Sequence, residues 1–80
     1  MSGEHINESL RKNMVGATIR SIRLSLSMSQ KELADLVFAR GIPMTSCTLC
    51  KIENGSRGIS DIELWHIASV FHITVDKLYK

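Results

Sequence analysis

Apolar residues fall along the chain in short runs of helical spacing, most of them opened by a polar capping residue. Val15, Ile19, Ile22 and Leu26 recur at three- and four-residue steps and share one face, which predicts a first helix from Met14 to about Leu26-Ser27. Arg20 and Arg23 flank that stripe. Residues 1–13 are polar and read as an N-terminal arm, with Asn7-Glu8 as an alternative helix start. Ser29-Gln30-Lys31-Glu32 is a capping box: the Ser hydroxyl accepts from the backbone N–H three residues on, and Glu32 reaches back. It opens a second helix that buries Leu33, Leu36 and Val37, with Ala34 as a small surface for a neighbouring helix; Gly41 and Pro43 stop it. Thr45 caps a third helix over 46–54, with Leu49 and Ile52 inward and Asn54-Gly55 as its end. Ser60-Asp61-Ile62-Glu63 is a second capping box, before the apolar Leu64, Ile67, Ala68 and Phe71. Thr74 caps a short final helix through Tyr79. The pattern predicts an all-α, compact bundle of five short helices over residues 14–80, with no strand and no repeat.

Composition narrows the functions open to such a bundle. At 80 residues the chain is one small domain, too small for an enzyme with an interdomain cleft. No Ser/His/Asp set or glycine-rich phosphate loop is present, so neither catalysis nor a small-molecule substrate is expected. The formal charge of +2 permits nucleic-acid binding without demanding it. No apolar run approaches the roughly 20 residues that span a bilayer, and the polar start Met1–His5 does not read as a secretory signal. A reduced, cytoplasmic protein without a membrane partner is expected. Cys47 and Cys50 form no disulfide framework. Structural zinc wants four ligands, and His5, His66 and His72 have no spacing that joins them to the cysteines, so no metal or cofactor is expected.

The third helix is too short to be stable alone. At about 100° per residue, Ser46, Cys47, Cys50, Lys51 and Asn54 fall on the side opposite Leu49 and Ile52. An ordinary solvated face carries several acids; this one carries none, which suits a negatively charged surface. The helix's only acid, Glu53, falls inward and needs a partner, because a buried lone carboxylate costs several kcal/mol. Arg23, on the flank of the first helix, is the candidate for a structural ion pair.

Gln30 through Glu53, with Asn54-Gly55-Ser56-Arg57 after it, resembles the phage-repressor-like (Xre-type) helix-turn-helix DNA-binding domains. The matching pieces are Ile19-Arg20 and Arg23, then Ser29-Gln30 with Leu33-Ala34, then Thr48-Leu49 with Ile52-Glu53-Asn54-Gly55. Ile67-Ala68, Phe71, Ile73, Val75-Asp76 and Leu78 match the closing helices, so the likeness covers residues 15–79. One departure is a lengthened turn, Phe38 to Pro43. It resembles a variant of the family that also shares Arg57-x-Ile59-x-Asp61-x-Glu63-Leu64.

The resemblance implies a lambda-repressor-like fold and a sequence-specific, double-stranded DNA-binding regulator of transcription, with repression the favoured mode. By position, Ser46, Cys47 and Lys51 would face bases in the major groove, with Cys50 close by. Gln30, Thr45, Asn54, Ser56 and Arg57 match positions that grip phosphates, and Arg40 in the lengthened turn is a further candidate. A homodimer on DNA is implied, joined through Val75, Leu78 and Tyr79 or through the N-terminal arm. The alternative on the same fold is a protein-interaction module or antitoxin.

Overall fold

The computed structural model describes residues 8–79, with side chains from Met14 onward. Four α-helices follow one another: α1 Glu8–Ser25, α2 Gln30–Ala39, α3 Ser46–Glu53 and α4 Asp61–Phe71. A 3-10 segment, Val75–Tyr79, closes the chain, and no strand occurs among the described residues. No helix among them is long and apolar enough to cross a membrane.

Caps decide where α2, α3 and α4 begin. Ser29 and Ser60 both complete capping boxes, with Glu32 and Glu63 as the reciprocal partners, and Thr45 accepts from the Thr48 amide. An apolar residue precedes each cap: Met28, Met44 and Ile59. Five positions on from each stand Leu33, Leu49 and Leu64. All six belong to the core or pack against it. This N′-to-N4 spacing is that of a hydrophobic staple, which fixes the angle at which the chain enters the helix.

The core is aliphatic. Ile19, Leu33, Val37, Leu49, Ile52, Ile67 and Leu78 are the largest fully buried side chains. Each contributes about 1.5–3 kcal/mol relative to exposure. α3 packs against both α1 and α2, α4 against α2, and the closing segment against α1 and α4. The approach of α1 to α3 depends on Gly16. A Cβ there would collide with the Ile52 carbonyl oxygen and press on the Glu53 backbone at 3.1 Å.

Several expectations are corrected. α1 runs from Glu8, as the Asn7-Glu8 alternative has it, and not from Met14, so residues 8–13 of the expected arm are helical, while residues 1–7 lie outside the described residues. It stops at Ser25, because Ser27 turns left-handed (φ 55°) and the Met28 amide donates back to the Arg23 carbonyl. Leu26 therefore leaves the helical stripe and is half exposed, and Ile22 is only partly buried. Leu36 is 45% exposed. The buried side of α2 is Leu33, Ala34 and Val37, and Leu36 borders a groove between α2 and α4 instead. The expected fifth helix is a 3-10 turn in which the Lys77 amide donates to the Thr74 carbonyl. Its Leu78 is wholly buried and belongs to the core, not to a dimer surface. The connection of residues 40–45 carries Gly41 at φ 92° and plugs the core with Met44.

Candidate nucleic-acid interface

α3 presents its outward side as the spacing of its residues requires. Ser46, Cys47, Cys50, Lys51 and Asn54 are all exposed, while Leu49, Ile52 and Glu53 are buried. No carboxylate stands on the outward face. Lys51 makes no ion pair among the described residues.

The carboxylate of Glu53 is neutralised from behind. Arg23 Nε donates to Oε2 at 2.7 Å and Nη2 to Oε1 at 2.9 Å, a bidentate pair with both side chains buried. The bond to Glu53 raises the Arg23 guanidinium above its ordinary value, against the opposing effect of burial. Arg23 Nη1 donates further to the Met28 carbonyl at 2.7 Å, just ahead of α2. Gln30 Nε2 donates to Glu53 Oε1 at 3.0 Å. One buried carboxylate thus ties together α1, the first residue of α2 and the last residue of α3.

The residues assigned to phosphates divide. Thr45 is occupied as a cap, accepting from the Thr48 amide at 3.1 Å and donating to the Thr48 hydroxyl at 3.1 Å. Asn54 Oδ1 accepts from the Ser56 amide and hydroxyl at 2.9 and 2.6 Å, which folds the turn after α3 and leaves both side chains exposed. At the start of α2 the capping box satisfies Ser29 and Glu32, leaving the Gln30 and Lys31 amides as the first-turn donors. Glu32 itself puts a carboxylate at that helix end, so an anion site there is weaker than the fold alone suggests. The amide of Ser29 is the chief cause that holds the Glu32 carboxyl below its ordinary value. Lys31 pairs with Asp35 at 2.8 Å.

Two cations expected at phosphates are committed elsewhere. Arg57 donates to both oxygens of Glu63, at 3.2 and 3.0 Å, and to the Gly58 carbonyl at 2.8 Å. Arg40 is turned onto α4: its Nε donates to His66 Nδ1 at 2.9 Å and its guanidinium lies 5.7 Å from the centre of the Trp65 ring. It does not join the outward side chains of α3. Arg57 is half-buried and keeps one edge toward solvent, so it can serve a phosphate only while shared with Glu63.

The sequence reading missed the Gln30 bond to Glu53 and the burial of Met44. Met44 had a readable signal, its place one residue before the Thr45 cap with Leu49 five positions on. The Gln30 bond had none, because it joins residues far apart in the chain. No family model matches the chain, and no curated protein matches it.

Proposed function

We propose that the chain is a helix-turn-helix domain of the phage-repressor (Xre) type that binds double-stranded DNA, with α3 in the major groove, and acts as a transcriptional repressor. One observation carries this reading: α3 offers an outward face without a single acid, and its only carboxylate is buried and bound by Arg23. A duplex repels carboxylates and rewards such a face. Lys51 donates to guanine O6 and N7, Ser46 donates or accepts, and Cys47 and Cys50 supply small surfaces for a thymine methyl. Gln30 and Asn54 border the face as neutral donors for phosphate oxygens, with Arg57 beyond them; Ser56 serves there only by giving up its hydroxyl bond to Asn54. Two copies on a two-fold site, with α3 helices about 34 Å apart, give useful specificity. Tyr79, exposed at the end of the closing segment, and the N-terminal residues are the remaining dimer candidates.

Selection of bound duplexes from a random pool, followed by gel-shift titration of the selected sequence, tests the reading. A selected sequence that binds in the micromolar range or better, and weakens as salt rises, supports it. A pool that yields no enriched sequence and no salt-sensitive complex contradicts it. A second reading, a protein-interaction module, is favoured by the exposed Leu36, Phe38 and Trp65 of α2 and α4.

A further inference from the structure

Two thiols stand on the outward face of α3. Cys47 and Cys50 are both free and exposed. Their helix is capped at Thr45 and anchored from behind by Leu49, Ile52 and the Arg23–Glu53 pair. Residues three apart on a helix are surface neighbours, with Cβ atoms about 5–6 Å apart. A disulfide needs Cβ atoms at about 3.5–4.5 Å. At ordinary helical spacing the pair therefore sits somewhat wider than a disulfide prefers, and closing that bond would draw in the first turn of α3. A bridging ion removes that obstacle. A metal ion between two sulfurs holds them further apart than the roughly 2.0 Å of an S–S bond, which suits side chains starting from those Cβ positions.

The donor set selects the ion. Thiolates favour soft cations such as Cu(I). Tetrahedral zinc needs four ligands. Among the described residues no group of three or more His, Cys, Asp or Glu is placed to hold a metal. We propose that Cys47 and Cys50 form a two-coordinate dithiolate clamp for a soft monovalent d10 cation, Cu(I) or its analogue Ag(I). On binding, two S–H bonds break, two S–metal bonds form and two protons leave to water, with no change of oxidation state. Two thiolates and one monovalent cation make a complex of net charge −1, on a face whose only cation is Lys51. That negative charge opposes a duplex. Metal capture is independent of the DNA reading; the loss of DNA affinity that follows from it rests on that reading.

Titration of the reduced full chain with Ag(I), followed by the ultraviolet thiolate-to-metal band and native mass spectrometry, tests the clamp. One Ag(I) per chain is expected. Cys47→Ser and Cys50→Ser should each bind Ag(I) at least ~100-fold more weakly, since the second thiol acts through its high effective concentration. Circular dichroism should show native helix content in both variants and in the loaded chain. Single variants that bind as tightly as the native chain, or one Ag(I) shared between two chains, overturn the clamp. Gel shifts with a selected duplex then test the consequence: Ag(I) should weaken the native complex at least tenfold and leave the complex of the double Cys→Ser variant unchanged. Equal weakening of both overturns the coupling. A metal-free chain that binds no duplex overturns the DNA reading and leaves the clamp to be judged by its stoichiometry.

Discussion

Glu53 decides most at the scale of single residues. Removing one partner of a buried ion pair leaves a bare charge inside, which costs about 3–5 kcal/mol. Glu53→Ala should therefore lower the urea midpoint by much of the stability of so small a domain. Arg23→Met combined with Glu53→Leu should cost less than Glu53→Ala alone, since neither charge is then stranded. Additive losses in the two positions would contradict this view of the pair. Lys51 acts differently, because it supports nothing in the fold. Lys51→Ala should leave the unfolding midpoint in place and relax base preference, with a smaller effect on the salt slope of DNA binding than Arg57→Ala. Glu63 adds a pH dependence. Burial pushes its carboxyl up, but the hydrogen bonds from Arg57 and Ser60 outweigh burial and hold it below the ordinary 4.5. A lowered folded value means that its stabilising contribution is complete above the ordinary value and is lost as pH falls through the lowered one. Glu63→Gln should flatten the acid limb of a stability-versus-pH curve measured below about pH 4.5. The inward Glu53 and its partner Arg23 are legible in the sequence because burial of a carboxylate demands a cation nearby. The engagements of Arg40 and Arg57 are not, since an exposed arginine has many reachable partners and spacing does not choose among them.

Caps and turns govern the elements. The helix starts at Ser29, Thr45 and Ser60 are readable because a cap is a local arrangement of a hydroxyl with an amide three residues on. The end of α1 is less so, since nothing about Ser27 announces a left-handed residue. Left-handed backbone costs a residue with a Cβ about 1–2 kcal/mol, part of which glycine returns as lost chain entropy. Ser27→Gly should raise stability by about 0.5–1 kcal/mol in thermal or urea unfolding; a loss would contradict the assigned turn. Gly16 works in the opposite direction. Alanine is ordinarily the better helix former, but here its methyl meets the backbone of α3. Gly16→Ala should destabilise by about 1–3 kcal/mol. Leu36 escaped the sequence reading because helical spacing gives the width of an apolar stripe only approximately. The type of the closing turn is not legible in the sequence, because five residues carry too little periodicity to tell 3-10 from α.

At the scale of the whole molecule, electrostatics constrains the proposed DNA binding. A net charge of +2 is small, and Arg23, Lys31 and Arg57 are already paired with acids. With Lys51 on bases, the shared Arg57 gives about one cationic phosphate contact per copy, so a bound dimer should show a log–log salt slope of about −2. A slope near −10 would require many cations besides Lys51 and Arg57 to reach the duplex. Sequence selectivity then leans on duplex shape and on neutral donors such as Gln30 and Asn54. The most direct measurement is a nitrogen–proton NMR titration of the labelled chain with a selected duplex. The amides of Ser46–Lys51, of Gln30 and of Asn54–Arg57 should shift together and saturate at one stoichiometry. Shifts confined to Arg40, Trp65 and His66 on the opposite edge of α2 and α4, or no shifts at all, would contradict the assignment of α3 as the DNA-facing element.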